Sequence, residues 1–404
     1  MGLVPLPIAR GSGLVTPAWT HWGTSEHFTL LRLPAHDGGT GLEGSALGRA
    51  RRGGEFVLDP FDAYRAGLVT NPNMVVAGSI GAGKSTVVKM TVDRALRRGR
   101  RCVVVDPKGE YAALARAHGH PPFAVGRDGW CWPPSMSERE SLDFVLSLLA
   151  SAKGAPLGDE ELYVVERHWG LARATDPTPV LAQLLTGLAP FLDDPRPSAQ
   201  RGLALTLRRF VDGDLAGLFA GAGEAYDFTD PLVVLDISRY WSTPNLTVAA
   251  LSAVAAAQHL ARRSEPGYLV LDESWALLSD EAALRWLQGS WKLSRARGIS
   301  HVLVLHRWSD VAAVGSLGSA QRARAQGLLR ECELTWLLRQ PPDEARELAT
   351  ALGLSEREAL SLPSLPRGAA LVRYGAARSL VDVRVDRHDA LVVDSDEAMR
   401  GEGD

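Results

Sequence analysis

Residues 73–86 read NMVVAGSIGAGKST. A short apolar run with two valines enters a turn with glycines at 78, 81 and 83, followed at once by Lys84, Ser85 and Thr86. Gly78, Gly83, Lys84 and Ser85 satisfy the spacing G-x-x-x-x-G-K-[ST]. Glycines let the chain wrap until the N–H groups of Ser79, Ile80, Gly81 and Ala82 point inward, where phosphate oxygens can sit. A helix beginning at Ser85 aims its positive dipole end at the same point. The glycine spacing is not G-x-G-x-x-G, and a dinucleotide turn has no task for the Lys-Ser pair. A strand must therefore precede the turn and a helix must follow it. The next apolar run, CVVVD at 102–106, returns the chain to the same sheet. Strand, glycine turn, helix (85–98, with Gly99 at its C-terminal end) and strand make a βαβ unit, and this places the chain in the α/β class with a parallel sheet.

The rest of the chain divides by pattern. Residues 1–55 read as an irregular leader or the remnant of a domain, with one strand-like patch, FTLLRL at 28–33. Residues 56–136 and 219–396 carry the strand signals of the core. Between them, 137–218 shows apolar residues at helical spacing, punctuated by Asp and Pro, and reads as a helical insertion too long for one crossover. Strands are expected at 231–238, 267–274, 300–307 and 334–340. GAALVRY and SLVDVRV, joined around Gly375, read as a C-terminal β-hairpin at the sheet edge. Residues 397–404 form a tail.

The chain has 404 residues and a net charge of −3, so no overall basic excess advertises nucleic-acid binding. Its three cysteines, Cys102, Cys131 and Cys332, are scattered. That excludes a metal- or redox-type pair and fits a reducing cytoplasm. No run of apolar residues is long enough to span a bilayer, and the N-terminus lacks a secretory signal pattern, so any membrane association is expected to be peripheral. His118 and His120 have no carboxylate or Cys companions at ligand spacing, which argues against a metal site there.

A phosphate loop needs a carboxylate on a neighbouring strand to hold a divalent ion. YLVLDES supplies Asp272 for the ion and Glu273 to polarise a water, which makes the chain a hydrolase. The competing VVLDIS offers only Asp236, read as capping the next turn. The stretch DPKGEY ends the 102–106 strand, so Asp106, Lys108 and Glu110 are expected at the rim of the nucleotide site. Asp106, Pro107 and Gly109 also read as a plain turn.

Four motifs in order (NPNMVVAGSIGAGKST, VVVDPKGEY, LVLDESWALL and HRWSDV) resemble the ATPases of conjugative transfer and type IV secretion, the VirB-type, TraC-like members of the FtsK–HerA group. The resemblance runs from about Phe56 to Asp396. It implies a RecA-like P-loop core, ATP with Mg2+, assembly into a hexamer or other homo-oligomer, and a site completed by a neighbouring subunit. It also implies partners in a secretion or conjugation machinery, and DNA or protein as the cargo. The strand-end Gln that senses the γ-phosphate in such proteins is replaced by His306. Trp336 stands where a basic residue is usual, whereas Arg339 and Gln340 match. The arginine acting between subunits is thus sought among Arg339, Arg330 and Arg307. Arg339 is preferred, on a strand expected at the far side of the sheet from the phosphate loop. The large N-terminal docking domain of longer members is expected to be mostly missing. A translocase acting directly on duplex DNA is the alternative reading; a nucleotide-gated scaffold is a third, opposed by Glu273.

Overall fold

A computed structural model describes residues 40–44, 46–51, 53–126, 137–175, 181–219, 230–260, 266–292, 294–309 and 319–393. The patch at 28–33 and the tail at 397–404 lie outside the described residues. Eleven strands form one sheet: β1 (Gly48–Ala50), β2 (Glu55–Phe56), β3 (Met74–Ala77), β4 (Arg101–Asp106), β5 (Phe123–Ala124), β6 (Leu232–Asp236), β7 (Gly267–Leu271), β8 (Ile299–Leu305), β9 (Leu334–Leu337), β10 (Ala369–Tyr374) and β11 (Ala377–Val383). Their order is β2-β1-β11-β10-β9-β3-β8-β7-β4-β6-β5. From β9 to β5 every pairing is parallel, and from β9 to β2 every pairing is antiparallel.

The parallel strands are mostly apolar because helices cover both faces. Side chains alternate between two cores. Val75, Val103, Val105, Leu269 and Leu303 face one core, which is shared with the helices Glu138–Lys153, Leu246–Leu260 and Glu281–Trp291. Val76, Cys102, Val104, Val270 and Val304 face the other, shared with the helix Lys84–Arg97. The described residues of 137–218 contribute four α-helices, Glu138–Lys153, Asp159–Thr175, Leu181–Leu188 and Ala199–Val211, between β5 and β6. The first has a complete capping box, with Ser137 accepting from the Glu140 N–H and Glu140 returning to the Ser137 N–H.

Two placements differ from expectation. The C-terminal hairpin, β10–β11, is present but not at the edge, because β1 pairs with β11 and β2 with β1. These two strands are three and two residues long, too short for alternation to reveal. The strand that leads to Arg339 ends at Leu337 and is not on the far side of the sheet. β9 is the immediate parallel neighbour of β3, with Val76 opposite Trp336.

A buried charge cluster ties the start of the core together. Asp59 caps the helix Pro60–Arg65 by accepting from Phe61 N and Asp62 N. It also accepts from Arg100 Nε and Nη2 (3.1 and 2.9 Å) and from the Tyr268 hydroxyl (2.8 Å). Among the described residues no helix is long and apolar enough to cross a membrane.

Candidate functional site

The C-terminal ends of β3, β4, β7, β8 and β9 open on one edge of the sheet, the edge where such sheets bind ligands. The loop after β3 is fixed from several sides. Gly78 N–H donates to Leu305 O and Ser79 N–H to Arg339 O, while Ala82 O accepts from Gly368 N. A Cβ on Gly78 would lie 2.9 Å from Leu338 Cβ, so only glycine fits between the loop and β9's continuation. Gly81 and Gly83 stand at φ +74° and +106°, which a side chain rarely tolerates. The helix Lys84–Arg97 starts at Gly83 with no side-chain cap. Its first-turn N–H groups thus have no side-chain acceptor, the condition of an anion site. Thr86 lies in that first turn, and Ile80 is 81% exposed at the loop's tip.

Lys84 is buried inside this loop. Its Nζ donates to Gly78 O (2.7 Å) and Ser79 O (3.2 Å). Burial pushes the ammonium down to about 8. The Lys108 charge works in the same direction, and Asp272, Glu273 and Glu110 oppose it. A buried ammonium met by main-chain oxygens alone fits a phosphate that would supply the missing negative charge.

Asp272 and Glu273 follow β7. Burial pushes the Asp272 carboxyl up to about 7, helped by the charges of Glu273, Asp106 and Glu110. Ser85 Oγ donates to Glu110 Oε2 at 3.4 Å. Glu110 thus meets the hydroxyl at the head of the loop helix and its charge acts on Asp272; hydroxyl and carboxylate oxygens of this kind suit a divalent cation. Among the described residues no three His, Cys, Asp or Glu side chains converge as a metal cage. An ion here would need oxygens from a bound phosphate as well.

Glu273 is held in the left-handed region at φ +50° and is 3% exposed. Its N–H donates to Asp272 Oδ1 (2.9 Å). Lys108 Nζ and His306 Nε2 both contact its Oε1, and Trp275 Nε1 donates to its Oε2 at 2.8 Å. Burial alone would raise this carboxyl, but hydrogen bonds and charges from His306 and Lys108 outweigh it and hold it at about 2.

Asp106 does not stand at the rim. It is buried, and its carboxylate accepts from the N–H groups of Lys108, Gly109, Glu110 and Tyr111 (2.9 to 3.2 Å). It builds the turn that presents Lys108 and Glu110. Asp236 likewise caps a turn, accepting from Ser238 N at 2.8 Å. Arg339 is exposed and its carbonyl receives both Ser79 N–H and Ser79 Oγ, whereas Gln340 is buried. Arg307 and Arg330 are also exposed. Two residues went unnoticed in the sequence. Trp275 follows Glu273 by two positions, the one local hint available. Trp241, whose ring lies 4.9 Å from Lys108 Nζ, gives no such signal. A separate cavity of about 790 Å³, between the helices Glu138–Lys153 and Glu281–Trp291, shares no lining residue with this site.

Residues 69–139 match the family described as "Helicase HerA, central domain". The structure of VirB4 of Thermoanaerobacter pseudethanolicus superposes with a TM-score of 0.76 at 21% identity, covering 88% of this chain and 100% of that one. The plasmid coupling protein TrwB in complex with a non-hydrolysable ATP analogue superposes with a TM-score of 0.56 at 17% identity, covering 86% and 91%. TrwB in complex with ADP and Mg2+ gives 0.57 at 17%, covering 81% and 87%. The chain has the fold of VirB4 and of the coupling protein TrwB. This P-loop ATPase fold accounts for the mainly parallel sheet, for the loop between β3 and its helix, and for the antiparallel strands beyond β9. No curated protein sequence matches the chain.

Proposed function

We infer that the chain is an ATP-hydrolysing motor of a conjugation or type IV secretion apparatus, energising the transfer of DNA or protein. The observation that carries this reading is the convergence, at one sheet edge, of the buried Lys84 in its glycine loop with Asp272 and Glu273. The fold shared with VirB4 and TrwB supports it, as do the nucleotide complexes of TrwB.

In this reading the N–H groups of residues 79–86 cradle the β- and γ-phosphates of ATP, and Lys84 turns from its carbonyls onto their oxygens. Ser85 and Asp272 would hold Mg2+, which when bound neutralises and orients those oxygens. Glu273 orients a water and takes its proton. The water oxygen bonds to the γ-phosphorus as the bond to the β–γ bridging oxygen breaks, and ADP leaves with that oxygen. Arg339, exposed beside the loop, supplies a further positive charge from a neighbouring subunit of a homo-oligomer. His306, Lys108 and Glu110 form the rim that responds to the γ-phosphate, with Asp106 shaping their turn. Residues 56–136 and 219–396 act as the motor core and 137–218 as an insertion. The protein works in the cytoplasm, at the inner face of the membrane through its partners.

Lys84→Ala tests the reading. Phosphate release should fall to background and binding of a fluorescent ATP analogue should weaken at least tenfold, with an unchanged circular dichroism spectrum. Unaltered turnover would sink it. The match of residues 69–139 to a HerA helicase domain favours a second reading, a translocase on duplex DNA. Hydrolysis stimulated severalfold by duplex DNA alone would select that one.

A further inference from the structure

Lys108 occupies a position that phosphate binding alone does not explain. Its turn is fixed by the four N–H groups donated to Asp106 and by Gly109 at φ +73°. From there the side chain reaches across to Glu273 Oε1, with His306 Nε2 3.4 Å from its Nζ. The face of Trp241 lies under the ammonium at 4.9 Å, and Trp241 packs edge-on to Trp275 with ring centroids 6.4 Å apart. Trp275 in turn holds the other oxygen of Glu273.

The carboxylate that should handle the water is therefore engaged on both oxygens. Two donors meet on one oxygen and a third sits on the other, and its charge is matched by an ammonium. A carboxylate held this way is a weak base and has little room for a water. The pair is also unequal, since the Lys108 side chain is 28% exposed and that of Glu273 only 3%. Lys108 is thus the partner that can move. Glu110, two residues further along the same turn, accepts from Ser85 Oγ at 3.4 Å, which sets the turn of Lys108 against the head of the phosphate-loop helix. A terminal phosphate carries more charge than one carboxylate and offers three oxygens, and charge-assisted bonds to it are strong.

Resting on the ATPase reading above, we propose that Lys108 is a γ-phosphate-responsive gate on Glu273: without a γ-phosphate it pairs with Glu273 over Trp241, and with one it swings to the phosphate and frees Glu273 to take the water. Lys108 is then a positioning residue, acting through Glu273. Trp241 is its resting platform, through a cation–π contact. ADP, which lacks the third phosphate, leaves the gate shut.

The two tryptophans provide the readout. Intrinsic fluorescence of the full chain is titrated with ADP and with a non-hydrolysable ATP analogue, each with Mg2+, while calorimetry measures binding of the same nucleotides. The ATP analogue should change the emission and ADP should not. The chain has 11 tryptophans, so Trp241→Phe assigns the signal: it should remove most of the change while leaving ADP affinity within about threefold. Lys108→Ala should abolish the change, keep ADP affinity, and lower the preference for the ATP analogue over ADP at least fivefold. Lys108→Arg should recover part of that preference, which a merely structural lysine would not do. The gate is refuted if ADP gives the same signal, if Trp241→Phe keeps it, or if Lys108→Ala retains the full preference. If calorimetry detects neither nucleotide on the unaltered chain, the ATPase reading itself falls, and this inference with it.

Discussion

Glu273→Gln separates holding the nucleotide from breaking it. The change keeps the shape of the side chain and removes its charge. Three donors meet the carboxylate: Lys108 and His306 on one oxygen, Trp275 on the other. An amide offers one oxygen and one NH2, so whichever way it turns, at least one donor faces another donor. Losing a charge-assisted bond of this kind costs about 1.5–3 kcal/mol, so the variant should unfold at a lower denaturant concentration. The chemical step should lose far more, because no carboxylate remains to polarise water. A correctly placed general base contributes roughly 10²–10⁴ in rate, or about 3–5 kcal/mol of barrier. The phosphate contacts of Lys84 and the loop are untouched, so the dissociation constant for ATP should stay within a few-fold. The assay is steady-state phosphate release at saturating ATP, beside equilibrium binding of a fluorescent ATP analogue and a denaturation curve showing the variant folded under assay conditions. A kcat reduced less than tenfold, or a loss confined to KM, would show that Glu273 does not handle the water.

His301 should make the fold acid-sensitive. Burial, with the Arg297 charge, pushes its imidazole down to about 3, so it stays neutral in the folded chain and protonates near 6.5 in the unfolded one. Between those values the unfolded state binds more protons, and stability should fall by up to about 1.4 kcal/mol for each pH unit lost below 6.5. His301→Phe should flatten the denaturation midpoint between pH 6.5 and 5, and equal slopes in both proteins would refute this. Asp59→Ala should cost about 3–5 kcal/mol, because Arg100 is left buried with Asp62, at 3.1 Å, as its remaining carboxylate partner among the described residues. Adding Arg100→Met should return part of that cost in a double-mutant cycle; additive losses would deny the coupling. Arg339→Ala should bind ATP normally but turn over at least a hundredfold more slowly. Mixing it with Lys84→Ala should restore part of the rate, and mixtures that never exceed the sum of their parts would rule out a site shared between subunits.

The parts of the site legible in the sequence are those whose chemistry demands consecutive residues. A phosphate loop must put two glycines, a lysine and a hydroxyl within eight positions, because backbone N–H groups do the binding. The Asp272-Glu273 pair is legible for a related reason: a strand that runs apolar to its end and then carries two carboxylates must be delivering them to the ligand edge. Strand order is another matter. The local pattern marks 334–340 as a strand but says nothing of its neighbour, and only the long-range pairing sets β9 beside β3. That pairing changes what Arg339 means, since its main chain now anchors Ser79 in its own loop while its side chain stays exposed. The short strands β1 and β2 escape notice because five residues with Gly and Arg among them carry no period.

His306 joins these two kinds of information. In the sequence it is only a departure, a histidine at a strand end where the resemblance leads one to expect a glutamine. In the structure its Nε2 contacts the same oxygen of Glu273 that Lys108 does, and Trp275 holds the other. A glutamine at this place would offer one donor with no charge. A histidine offers a donor that adds charge when protonated, beside a lysine that already has it. His306 is therefore one member of a larger set of contacts. It belongs with Lys108, Trp241 and Trp275 to one arrangement that engages the water-handling carboxylate more heavily than a lone strand-end amide would. None of the four is informative alone, because the arrangement joins the ends of β4, β6, β7 and β8, and the chain visits those ends in separate crossovers. The sheet brings them to one edge, where all four can act on the same carboxylate.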